Sequence, residues 1–171
     1  MSLSAKKRIL FVTENVTLAQ VVRSVVLARS LDPSRWEVHF AAASFDPLVF
    51  AGTSFVQHPI FSLPKADVDA AIASGKRIYE LDVLMRYVAE ERALLERVRP
   101  DLVVGDLRFS LHTSAELTGV PYANLIDAFW SPHAVRERFP LPEHPIVRMV
   151  GVEKAERYFP MALPQVFSHF A

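Results

Sequence analysis

The sequence predicts an α/β fold, an open parallel sheet with helices on both faces. Three observations predict it. Short apolar runs alternate with stretches of helical period, the arrangement that strands joined by crossover helices require. One run, "DLVVG" from Asp101 to Gly105, is almost wholly apolar, as befits a strand covered on both sides. Proline, glycine and aspartate punctuate the joints, and the right-handed crossover rule then makes the sheet doubly wound.

The elements follow in order. Arg8 to Thr13 is the first strand. The helix after it sets Leu18, Val21, Val22 and Val25 on one face at spacings of three and four, and "DPSR" stops it near Leu31. Trp36 to Ala43 is the second strand, "FDPLVF" begins a short helix, and Thr53 to Ile60 is the third strand. "SLPKADVDAAIASG" reads as a loop with a short helix ending at Gly75. A long helix from about Lys76 to Val98 turns Ile78, Leu81, Leu84, Met85, Val88 and Leu95 inward. Asp101 to Gly105 is the fourth strand, a helix runs from about Phe109 to Leu117 with Gly119 as its left-handed cap, and "VPYANLID" is the fifth strand.

Composition narrows the function. The 171 residues are 51% hydrophobic and 22% charged, with zero formal net charge, so neither nucleic acid nor an acidic membrane surface is indicated as a partner. The absence of cysteine excludes disulfides, thiolate catalysis and cysteine-based zinc sites, and suits a cytoplasmic setting. No run approaches the length of a membrane span, and the histidines show no metal-ligand spacing. Neither a metal nor a cofactor is expected. Residues 1–4 read as a short cloning remnant and 5–140 as the α/β domain. Residues 141–171, rich in proline and ending on Val166, Phe167 and Phe170, read as a connection toward a domain beyond the chain.

Ligands of open parallel sheets bind beyond the carboxyl ends of the strands. That edge collects Thr13, Glu14 and Asn15 after strand one, Ala43 and Ser44 after strand two, Asp106 and Arg108 after strand four, and Asp127 to His133 after strand five. Three acids near one edge form a constellation suited to proton abstraction. Glu14 is either a base or a partner for the dipole at the amino end of the first helix, and in both readings its charge disfavours a phosphate there. Gln20 closes a capping box with Thr17 or contacts substrate. Asp106 is either a functional acid or a cap for the following helix. Trp130, with Phe129 and His133, lines an apolar pocket or fills the core. His112 is expected buried or half-buried within its helix.

"RILFVTENVTLAQVVRSVVLARSLDPSRWEVHFAA" and "RPDLVVGDLRFSLHTSAELTGVPYANLIDAFWSPHA" together resemble the amino-terminal half of the nucleotide-sugar-dependent glycosyltransferases of the GT-B fold. The resemblance covers nearly the whole chain from Arg8. It implies a Rossmann-like lobe that binds an acceptor. A carboxyl-terminal lobe would hold a nucleotide sugar, UDP- or dTDP-linked, and inverting transfer would go to an acceptor hydroxyl. It also implies a histidine base in the turn after strand one, oriented by an aspartate after strand four. Asp106 matches the aspartate; Asn15 stands at the histidine's place, and a second alignment puts Gln20 there. Amides cannot serve as the base. Glu14 and Asp106 are therefore the catalytic candidates, with Asn15, Gln20, Arg108, Asp127, Trp130 and His133 as substrate-binding candidates.

Two other classes compete. A non-catalytic binding module, or a subunit needing a separate partner chain, accounts for the missing histidine. A flavodoxin-like or dinucleotide oxidoreductase needs a glycine- or hydroxyl-rich phosphate loop, and this turn supplies only Thr13 and Thr17 beside an acid.

Overall fold

The computed structural model describes residues 5–74, 76–127, 145–151, 153, 154 and 157. The chain divides into two compact units, Met1–Lys65 with Tyr79–Leu125, and Ala66–Ile78 with Ile126–Ala171. The first unit holds a five-stranded sheet, all parallel, in the order β3-β2-β1-β4-β5. Its strands are β1 (Lys7–Thr13), β2 (Trp36–Ala42), β3 (Val56–Pro59), β4 (Leu102–Asp106) and β5 (Tyr122–Leu125). Its helices are α1 (Leu18–Arg29), α3 (Leu81–Val98) and α4 (Leu111–Thr118). Most of α2 (Lys65–Ser74) and all of α5 (Pro145–Val150) belong to the second unit.

Alternation along the strands feeds two cores. Leu10, Val12 and Val103 pack with Leu94, Leu95 and Leu111 of α3 and α4. Ile9, Phe11, Phe40 and Val104 pack with Val21 and Val25 of α1 on the other face. Side chains one residue apart therefore serve different helices. Gly105 permits the close fit of α4 and β5 on β4, because a Cβ there would lie 3.0 Å from Leu111 Cδ2 and 3.1 Å from Tyr122 Cε2. Gly119 ends α4 at φ 68°, the left-handed cap its position predicts.

Several expected elements differ. "FDPLVF" forms turns instead of a helix: the Asp46 carboxylate accepts from the Leu48 amide at 2.8 Å, and Gly52 at φ 69° reverses the chain. The third strand is shorter than predicted, because Thr53 is still bonded back to Phe50. α2 is a full ten-residue helix. α3 starts at Leu81, since Glu80 is extended (φ −83°, ψ 161°). Its inward face is Tyr87, Glu91, Leu94, Leu95 and Val98, while Leu81 and Met85 are 75% and 62% exposed. A buried glutamate in that stripe shifts the apparent apolar face. Leu18 of α1 also points outward.

Candidate functional site

Strand β1 ends against β4 with Thr13 opposite Asp106. The Glu14 amide then donates to the Asp106 carbonyl at 3.1 Å. From this shared edge the two acids part.

Asp106 faces α1. Its fully buried carboxylate takes both arms of the Arg23 guanidinium, Nε at 2.6 Å to Oδ2 and Nη2 to Oδ1, and accepts Ser24 Oγ at 3.1 Å. It does not stand at the cap of α4, whose N-cap position is Ser110. The aspartate that the resemblance assigns to orienting a histidine here grips an arginine.

Glu14 faces α3 and α4. Its carboxylate, 2% exposed, accepts Arg108 Nη1 at 2.8 Å, Tyr87 OH at 3.2 Å and Ser62 Oγ at 3.3 Å. Arg108 is also buried. Its Nε donates to Glu91 Oε1 at 2.7 Å, and its Cζ lies 4.2 Å from the centre of the Tyr87 ring. Glu91 accepts in addition Ser110 Oγ at 2.6 Å and Ser114 Oγ at 2.5 Å. Two buried carboxylates thus share one guanidinium. Burial pushes the Glu14 carboxyl above its ordinary value, opposed by the charge and hydrogen bonds of Arg108 and by the Tyr87 and Ser62 hydroxyls. Burial, reinforced by Glu14's charge, likewise raises the phenols of Tyr79 and Tyr87.

One backbone feature makes this division possible. Leu107, between Asp106 and Arg108, has φ 51°. A left-handed residue breaks strand alternation, so Arg108 crosses to the α3–α4 face while Asp106 stays on the α1 face. For leucine this conformation costs about 1–2 kcal/mol.

The remaining candidates divide. Asn15 Nδ2 donates to Ser44 Oγ at 2.8 Å, tying the ends of β1 and β2. Gln20 closes the capping box of α1, its Oε1 accepting the Thr17 amide at 2.9 Å. No acid lies in the first turn of α1. The Glu14 carboxylate therefore does not occupy that helix end; the cap does. Asp127 is exposed beyond β5, within the second unit, and Trp130 and His133 lie outside the described residues. His112 is exposed, its ring edge-on to Tyr122, because it sits on the outer face of α4. Among the described residues no group of three or more histidines and carboxylates is placed to hold a metal.

Sequence reasoning missed Arg23, Ser62, Tyr87, Glu91, Ser110 and Ser114. Only Glu91 carries a signal of its own: it falls in register with Tyr87, Leu94, Leu95 and Val98, and a charge inside an apolar stripe needs a buried partner.

No protein-family model matches the chain. Over 163 residues, 95% of the chain, it is 45% identical to the "PGL/p-HBAD biosynthesis glycosyltransferase" of Mycobacterium tuberculosis (strain ATCC 25177 / H37Ra), spanning 38% of that protein. It is equally identical to an "Inactive PGL/p-HBAD biosynthesis glycosyltransferase" of Mycobacterium bovis (strain BCG / Pasteur 1173P2), spanning 44% of it. It is 43% identical to a "PGL/p-HBAD biosynthesis rhamnosyltransferase" of the same strain, spanning 36%. The chain thus spans less than half the length of these curated relatives. Among solved structures, the Streptomyces sp. SF2575 glycosyltransferase SsfS6 matches with a TM-score of 0.50 at 24% identity, over 69% of this chain and 38% of that one. A Rickettsia africae glycosyltransferase matches with a TM-score of 0.53 at 12% identity, over 82% and 32%. Over 95% of its length the chain is similar to part of these mycobacterial glycosyltransferases, and its fold matches part of the GT-B glycosyltransferase SsfS6.

Proposed function

We propose that the full-length protein transfers a sugar from a nucleotide-sugar donor to a hydroxyl of a small or medium-sized acceptor, with inversion, and that this lobe holds the acceptor. The relatives' names support PGL/p-HBAD biosynthesis as the acceptor's source. Residues 141–171 would lead toward a second lobe that binds the nucleotide sugar, and the setting would be cytoplasmic. Among the described residues no helix is long and apolar enough to cross a membrane.

The observation that carries this reading is Glu14: a buried carboxylate in the turn after β1, its proton affinity raised, steadied by a guanidinium and two hydroxyls. A buried carboxylate with its proton affinity raised suits a general base. In the proposed step Glu14 takes the acceptor hydroxyl's proton as the acceptor oxygen bonds to the anomeric carbon. The bond from that carbon to the diphosphate oxygen breaks, and the nucleoside diphosphate leaves. Asp106 serves as a positioning residue, holding α1 to β4 through Arg23. Asn15, Gln20 and Arg108 are the proposed acceptor contacts of the first unit, and Asp127, Trp130 and His133 are proposed for the same role from their place in the sequence alone.

The test is turnover of UDP- and dTDP-sugars by the full-length protein with p-HBAD-type acceptors, products identified by mass spectrometry. Glu14→Gln should lower kcat by about 10²–10⁴-fold. Unchanged kcat would remove Glu14 from the chemistry. A second reading, a non-catalytic binding lobe, is favoured by the occupied state of Asp106 and Gln20. Acceptor binding without transfer by the full-length protein would establish it.

A further inference from the structure

Arg108 has more partners on one side than the other. Its Nε is fixed on Glu91, whose carboxylate is further locked by Ser110 and Ser114. Glu14 receives only Nη1, and Ser62 Oγ takes a share of that nitrogen at 2.9 Å. The third nitrogen, Nη2, is buried with no hydrogen-bond partner among the described residues. In a planar guanidinium Nη2 lies between the directions of Nε and Nη1. It is therefore the donor that a small rotation would bring onto Glu14 to complete a two-point pair. Glu91 withholds it, because rotating Arg108 toward Glu14 would break the Nε contact.

We propose that Glu91 is a positioning residue that, by anchoring Arg108, limits its hold on Glu14 and so keeps Glu14 able to take up a proton. This deepens the reading of Glu14 as the base and supplies its tuning element. The groups facing Glu14 come from each neighbouring segment: Arg108 from the β4–α4 loop, Tyr87 from α3, Ser62 from the segment after β3, and Tyr79 from the segment before α3. Among these Arg108 is the cation, so what Arg108 is bound to governs Glu14. Two carboxylates around one guanidinium leave a buried excess of negative charge, a state that protonation of one acid relieves. The acid with the longer contacts is Glu14.

The experiment reads protonation directly. In full-length protein labelled with ¹³C-glutamate, infrared difference spectra against Glu14→Gln isolate the Glu14 carboxyl stretch, which is followed with pH. Glu91→Gln keeps the shape and one of the two acceptor oxygens but removes the competing charge. The Glu14 midpoint should fall by about one unit, because an opposite charge brought fully to bear lowers a carboxyl by about 1–3 units. An unmoved or raised midpoint overturns the proposal. Should Glu91→Gln fail to fold, Glu91→Met gives the same comparison. Ser114→Ala disturbs packing around Glu91 without removing its charge; a shift as large as that of Glu91→Gln assigns the effect to packing and also overturns it. The readout needs no turnover, so it stands apart from the kcat test of Glu14. Inactivity of Glu14→Gln with an unmoved midpoint in Glu91→Gln would sink the tuning while leaving the base in place.

Discussion

The amide of Glu14 donates to the carbonyl of Asp106 at 3.1 Å, yet the two carboxylates serve opposite faces of the sheet. Asp106 is paired with Arg23 of α1, whereas Glu14 shares Arg108 of the β4–α4 loop with Glu91. The acids that converge in sequence on one edge therefore act in separate compartments, and substitutions in one should leave the other largely intact.

Arg23→Met should destabilise the protein by about 3 kcal/mol, since it leaves the fully buried Asp106 without its guanidinium. Asp106→Asn should cost less, about 1–2 kcal/mol, because the quarter-exposed Arg23 can turn to water. Urea midpoints of the two variants measure the asymmetry. Equal losses would contradict it.

Glu14 makes stability fall as pH rises. Its folded pKa is raised above 4.5, so the folded state binds the extra proton. That contribution is whole below pH 4.5 and is lost as pH climbs to the folded value. Glu14→Gln should flatten the stability profile over this interval, as followed by chemical denaturation at closely spaced pH values.

His39 and His58 act with the opposite sign. Nδ1 of His39 and Nε2 of His58 lie 2.8 Å apart, a distance that accommodates one proton between the rings and not two. Burial first lowers both imidazoles, and the neighbouring ring and Arg97 add to this for His58, while Glu37 partly opposes it for His39. Stability should thus be whole above pH 6.5 and decline as pH drops toward the folded values. His58→Gln should blunt that decline in thermal melts between about pH 5 and 7; an unchanged slope would place the acid sensitivity elsewhere.

Gly105→Ala should cost about 1–3 kcal/mol through overpacking. The new methyl would stand 3.0 Å from Leu111 Cδ2 and 3.2 Å from the Tyr122 hydroxyl, in a site walled by α4 and β5. A crystal structure of the variant should show Tyr122 displaced, and a melting temperature equal to wild type would count against the packing account.

Local patterns made much of the fold legible. The apolar runs of β1 and β4, the Thr17–Gln20 capping box and the Gly119 cap all rest on neighbours close in the chain, and each stands where its residues placed it. What escaped was non-local. Glu91 falls within the apolar stripe of α3 with no counter-charge near it in the chain, and the Arg108 that pairs with it lies 17 residues on. The direction of Glu14 was equally hidden, because it depends on Tyr87 and Arg108, 73 and 94 residues away. "FDPLVF" failed for the reverse reason: one Asp46 side chain outcompeted a helical period too short to resist it.

The inverted handedness at Leu107 determines which layer of the protein receives the guanidinium two positions beyond the strand's last pairing with β1. Lengthening or shortening this connection by a single amino acid would deliver Arg108 among the aliphatic side chains of α1 and strand a pair of glutamates without a counter-ion. Spacing there, more than the chemistry of Leu107 itself, is what descendants of this lobe are obliged to preserve.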